Sequence, residues 1–198
     1  MTGTAVSHSQ RSATPGSNYV TGPKYTGLDR MHVPLLTLNE RLTPVDHQTH
    51  RRYDFQVPSD CAELRVRVRY TPKYVSREES QALAVAALRR QRADLAQRLG
   101  DALAAGWMAD LSAAADSTTV ANLLTISLDD ADGAYRGAAH RHAPDQSLVL
   151  GPDVATPGLV RGPLPGGTWT LTLSAHTLVS PQVDVVIQIG AEMASSLA

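Results

Sequence analysis

A single cysteine, Cys61, stands in a chain of 198 residues. One thiol can neither close an internal disulfide nor build a zinc site from several thiolates, which removes the argument for a stapled secreted module. Cys61 itself reads as a half-buried thiol just ahead of a strand, because a reactive thiolate needs a basic neighbourhood and none is evident around it. Charge of one sign is also missing. With 18 basic and 19 acidic side chains, a formal net charge of −1 gives no field that would hold nucleic acid or an anionic membrane. No apolar run reaches the roughly 18 residues of a membrane-spanning helix, and the N-terminus lacks a charged-then-apolar leader. The expectation is a soluble, cytoplasmic protein with one core, since about 100–200 residues make one domain.

What is present divides the chain into an arm, a domain and a tail. Residues 1–30 are rich in Ser, Thr, Gly and Pro, with Val6, Val20 and Leu28 as almost the only aliphatic side chains beyond alanine. Such a segment buries too little apolar surface to offset the entropy of ordering it, so it reads as a flexible N-terminal arm. The alternative is that Tyr19 and Tyr25 lie across a partner subunit. Residues 31–190 read as a β-sandwich domain and 191–198 as a C-terminal tail. VPLLTL opens the domain as a short strand, placed at a sheet edge by Pro34. After Tyr53, Phe55 and Val57, the residues Leu64, Val66, Val68 and Tyr70 alternate with Glu63, Arg65, Arg67 and Arg69. Period two sets the apolar side chains on one sheet face and the arginines on the other, where they serve solubility or meet a phosphate or carboxylate.

Between about 76 and 116 the period changes. Ser76 with Glu79 three positions on forms a capping box that opens a helix. Val85, Leu88, Leu95, Leu99, Leu103, Trp107 and Leu111 then make a narrow apolar stripe, with Gly106 as a point of bending. Packing on the parent sheet satisfies such a stripe, and its only partly sevenfold spacing favours that; pairing with a second copy through Leu88, Leu95, Leu99, Leu103 and Trp107 is the alternative. Beyond the helix, Leu124, Ile126 and Leu128 alternate inward up to the acidic turn Asp129-Asp130-Ala131-Asp132-Gly133. That turn has the opening of a calcium loop without its later glutamate. Trp169, Leu171 and Leu173 form another inward set.

Chemistry-bearing side chains gather around these last strands. His140 and His142 have the alternate spacing that sends two imidazoles to one side of an extended chain. With His176, and with Asp129 or Asp132, they compose a candidate metal set, which would suit a divalent-metal hydrolase or lyase. Arg136, His140, Arg161 and His176 compose a second candidate, a pocket at one end of the sandwich for a small anionic or sugar ligand. The bland alternative is that Arg136 and His176 bind backbone carbonyls and hold the loops.

The text LLTISLDDADGAYRGAAHRH followed by ATPGLVRGPLPGGTWTLTLSAHTLV resembles the non-catalytic N-terminal β-domain of CehA/McbA-type metallohydrolases, members of the PHP (polymerase and histidinol phosphatase) superfamily. The positions that carry it are Asp132, Gly133, Tyr135, Arg136, Gly137, Ala138 and His140, then Ala155 to Gly158, Gly162, Pro163, Pro165, Gly167, Trp169 and His176. It covers residues 31–75 and 121–190 and leaves out the helix and the arm. Ala139 stands where the family has glycine. The resemblance implies an accessory module without the PHP catalytic barrel. It also assigns His140 and His142 to the accessory domain's own stretch, not to the metal-binding HxH that opens that barrel. The expectation is therefore an all-β antiparallel sandwich, jelly-roll or Ig-like, with one long inserted helix. Its expected work is non-catalytic and needs no cofactor: association with a second copy or with a PHP-type hydrolase partner. The rival is the metal-assisted enzyme with its histidine cluster.

Overall fold

The computed structural model describes residues 9–10, 33–101, 119–139 and 142–194. Among the described residues, nine strands and one α-helix follow in order: β1 (Ser9–Gln10), β2 (Val33–Leu42), β3 (Thr49–Val57), β4 (Cys61–Thr71), α1 (Arg77–Leu99), β5 (Leu123–Asp129), β6 (Tyr135–Ala138), β7 (Asp145–Leu150), β8 (Gly167–Thr177) and β9 (Val183–Met193). They build two sheets, ordered β1-β3-β8-β5-β6 and β2-β9-β4-β7. Every pairing is antiparallel except the short one between β1 and β3.

The pairing is nested. β2 lies on β9, β3 on β8, β4 on β7 and β5 on β6. The chain is thus one long antiparallel hairpin with its tip at the turn between β5 and β6, rolled up so that β4 also meets β9 and β5 also meets β8. The roll encloses one core, because each strand turns its alternate apolar set inward. Leu64, Val66, Val68 and Tyr70 from β4, Leu124, Ile126 and Leu128 from β5, and Trp169, Leu171 and Leu173 from β8 are all buried there, with Trp169 fully so. Phe55 packs against Trp169 with ring centroids 6.4 Å apart.

The edge position read from Pro34 agrees with β2 at one margin of its sheet, where the ladder is irregular between Pro34 and Leu36. The arginines of β4 do face outward, and each meets a carboxylate: Arg65 is 2.7 Å from Glu63, Arg67 is 3.4 Å and Arg69 is 3.2 Å from Asp145. Half-exposed pairs of this kind contribute little to stability, about 0–1 kcal/mol each. β9 runs to Met193, so the last strand extends past the expected domain end at 190.

The helix departs from expectation in two ways. Its capping box is present, with Glu79 N–H donating to Ser76 Oγ at 3.1 Å and Ser76 N–H to the Glu79 carboxylate at 3.0 Å. It stops at Leu99, however, because Gly100 takes a φ of 85° that an L-residue avoids. Leu103, Trp107 and Leu111 therefore lie beyond α1, outside the described residues. The second departure concerns packing. Among the α1 residues whose burial is described, Ser80 alone is buried, while Leu83, Ala84, Leu88 and Ala96 are half-buried and Val85 is exposed. The expected seat on the parent sheet is not formed by these residues; the side chains of Leu95 and Leu99 lie outside the description. No described helix is long and apolar enough to cross a membrane.

Chain segments leaving for and returning from the helical excursion are clamped together. Tyr74 bridges Ala121, Val75 N–H donates to Val120 O, and Ser80 Oγ accepts from Val120 N–H at 3.1 Å. Asn122, fully buried, holds this doorway shut. Its Nδ2 donates to Pro72 O and Ser180 Oγ, and its Oδ1 accepts from the N–H groups of Val179 and Ser180. Nothing in the alternation pattern marks this asparagine, which sits one residue before β5.

Candidate functional site

The end of the sandwich opposite the helix carries the residues with the strongest sequence signature. β5 leads into the acidic turn, where Asp130 is buried and accepts at Oδ1 from Asp132 N–H at 3.0 Å and Ala134 N–H at 2.8 Å. Its other oxygen, Oδ2, faces Arg136 Nη1 at 3.3 Å, both side chains being 7% exposed. The carboxylate is thus committed to its own turn and to one guanidinium, and the calcium-loop reading of this turn finds no free oxygen at Asp130.

Arg136 enters from β6 into the loop that joins β7 to β8. Nε and Nη2 both donate to Val160 O, at 3.2 and 3.1 Å; Nη2 also donates to Gly162 O at 3.1 Å and Nη1 to Pro163 O at 2.8 Å. With Asp130, these acceptors engage all five donors of the guanidinium. The guanidinium carbon also lies 5.4 Å from the Trp169 ring centre, in cation–π range. Trp169 Nε1 in turn donates to Pro165 O at 2.8 Å.

Glycine and proline put those carbonyls in place. Gly137, at φ 105°, passes so close to the loop that a Cβ there would run into Gly158 O and the Leu159 Cα. Ala138 N–H donates to Gly158 O at 3.0 Å, and Val160 N–H to Arg136 O at 2.8 Å. Asp130, Arg136, Gly137, Gly158, Gly162, Pro163 and Trp169 therefore converge on one knot whose polar atoms satisfy one another. This is the loop-holding arrangement weighed against a ligand pocket in the sequence.

The four residues of that expected pocket are not brought to one place. Arg161 is exposed on the loop beside the knot. His176 sits near the far end of β8, seven residues beyond Trp169 and so about 23 Å away at about 3.3 Å per residue. His140 lies outside the described residues. Arg136 and His176 thus belong to opposite ends of the sandwich, because an extended strand separates positions that the sequence writes close together.

Imidazoles gather instead at the helix end, on the outer face of the β3-β8-β5 sheet. His176 Nε2 is 2.7 Å from Thr125 Oγ1, and His50 Nδ1 is 2.8 Å from Ser174 Oγ. Partial burial, and then the proximity of His50 and His142, lower the pKa of His176 and favour its neutral form. His50 was not among the sequence candidates; its register opposite Ser174 is a tertiary fact. Among the described residues, no three His, Cys, Asp or Glu side chains stand together so as to hold a metal ion.

A concave surface of about 390 Å³ lies on the outer face of the other sheet. Arg67 and Arg69 of β4, Asp145 of β7, and Asp184, Val186 and Gln188 of β9 line it. Charges of both signs over a small apolar floor suit a polar ligand of low net charge.

Cys61 is the first residue of β4 and is buried, where a half-buried thiol ahead of the strand was expected, and burial pushes its thiol up to about 11. At neutral pH it is held as the thiol, so native protein is expected to resist a thiol reagent such as Ellman's for hours and to react fully in urea. Fast labelling of folded protein would contradict this placement.

No protein-family model matches this chain, and no curated protein is significantly similar to it.

Proposed function

We propose that this chain is a non-catalytic β-sandwich module of jelly-roll type that works by protein association, with α1 as its contact element. The nested pairing of eight strands across two sheets supports the jelly-roll assignment. The observation that carries the association reading is the exposure of the helix. Its 23 residues measure about 34 Å at about 1.5 Å per residue, and Leu83, Leu88 and Val85 remain half-buried or exposed along it. Helices of this size gain most of their stability from a packed face, so a helix whose described side chains form no seat on its own sheet calls for a partner surface. A second copy is the partner that the stripe suits best. The resemblance to PHP-associated β-domains makes a PHP-type barrel the alternative partner.

The saturated knot around Arg136 argues for a structural role of the motif and against catalysis at that end. A metal-assisted reaction at His140, His142 and His176 is the rival reading, and metal analysis of purified protein separates the two, a stoichiometric metal favouring the enzyme. The groove at Arg67, Asp145 and Asp184 supports an accessory role in binding a small polar or sugar-like ligand. In the test of the main reading, the wild type is expected to exceed monomer mass by light scattering. Leu88→Asp should weaken that association by about a hundredfold with the urea midpoint unchanged. A general loss of stability in Leu88→Asp would mean that the helix packs on its own sandwich, and a wild type that is monomeric at every concentration and retains no partner on purification would overturn the proposal.

A further inference from the structure

A two-sheet sandwich has four margins, and in this fold three of them are blunted. β2 carries Pro34 and an irregular ladder beside it. β6 is four residues long and is covered by the loop that bridges Gly137 to Leu159. β7 is capped from outside, where Thr156 N–H donates to Val149 O and Thr156 Oγ1 accepts from Val149 N–H. β3 is different. It is nine residues long, has no proline and keeps unbroken register with β8 from Thr49 to Val57. Alternate residues of such a strand direct their N–H and C=O groups away from β8, so β3 presents a row of backbone donors and acceptors at the margin. Its outward charges do not bar approach: Asp54 is turned onto Thr170 Oγ1 at 2.7 Å, and Arg52 stands on the outer sheet face. A long edge of unbroken register is a template for strand addition.

Among the described residues, the one segment on this edge is the chain's own. Ser9 pairs with Arg51 and Gln10 with Arg52, in parallel, while among the described residues Tyr53 to Val57 pair with β8 alone. We propose that the outer edge of β3 is a strand-addition site whose occupant is the N-terminal segment of the same chain, anchored at Ser9–Gln10, and that this segment keeps a second copy from pairing there. Twenty-two residues separate Gln10 from Val33, which at about 3.3 Å per residue can reach about 70 Å. That is ample for a return to β2 at the same margin of the sandwich. Parallel addition also fits the direction of travel, because β3 runs from the helix end towards the end where β2 begins.

The test uses the full chain in the Leu88→Asp background, so that helix contacts do not contribute. In Gln10→Cys/Arg52→Cys, neighbouring strands bring the two thiols within disulfide range. Mild oxidation is expected to give a disulfide within one chain at monomer mass. A disulfide joining two chains, or none, would overturn the in-chain placement. In Ser9→Pro/Gln10→Pro, which removes the N–H donors of the added strand, amide exchange along β3 should speed up at least tenfold and a concentration-dependent dimer should appear. Unchanged exchange would overturn the strand addition, and a variant monomeric at all concentrations would overturn the shielding.

Discussion

Replacing Arg136 with alanine is expected to lower the unfolding free energy by about 3–5 kcal/mol, the range for breaking a buried charge pair by removing one partner. The magnitude follows from what is left behind. Asp130 would keep its turn amides but lose the guanidinium that its other oxygen faces, at 7% exposure. The carbonyls of Val160, Gly162 and Pro163 would lose their donor together. Arg136→Lys should recover only part of the loss, because an ammonium with three donors cannot reproduce a five-donor fork. Arg161→Ala, at an exposed neighbouring position, should change stability by less than about 0.5 kcal/mol. Urea unfolding followed by tryptophan fluorescence and circular dichroism measures all three. An Arg136→Ala protein as stable as wild type would mean that the guanidinium is held for a ligand and not for the loop.

The second large effect is expected at Gly137. Alanine there meets two separate obstacles: a positive φ of 105° and a Cβ driven into the backbone at Gly158 and Leu159. Backbone strain and overpacking together place the cost at about 2–4 kcal/mol. Gly133 supplies the control, since it has a φ of 79° and open space where the Cβ would go. Gly133→Ala should therefore cost about 1 kcal/mol, the conformational component alone. Equal losses at the two sites would show that the close approach of the loop to β6 does not govern this end of the sandwich.

Much of the layering was legible because β4, β5 and β8 each bury one face. Alternation at Leu64 to Tyr70, Leu124 to Leu128 and Trp169 to Leu173 therefore reports both the strand and its inward side. Pro34 reports an edge for an equally local reason, the missing N–H. The helix boundary was legible in principle. Gly100 follows Arg98 and Leu99 as a cationic last turn and a glycine cap, but the apolar spacing through Leu111 outweighed that signal and carried the expected helix on to about residue 116, with no more than a bend at Gly106.

The site was harder to read, for physical reasons. Arg136 and His176 appear together in one family-like text, yet a strand carries them to opposite ends. The seven residues of the knot show no periodicity, because what unites them is a set of loop carbonyls aimed inward by glycines and prolines. Asn122 gives no signal at all: its partners Pro72, Val179 and Ser180 come from distant parts of the chain. His50 joins His176 only through the β3–β8 register.

The nested pairing has a bearing on biosynthesis. Leu42 meets Val183, 141 positions later, and Val33 meets Ala191, so the first strand of the roll waits for β9 to be made before its ladder can form. Contacts so distant along the chain delay folding, since a long loop must close before any hydrogen bond rewards it. A ribosome making this protein thus holds β2 unmated until β9 has emerged, and a nascent chain halted before β9 has no sheet to which that strand can belong.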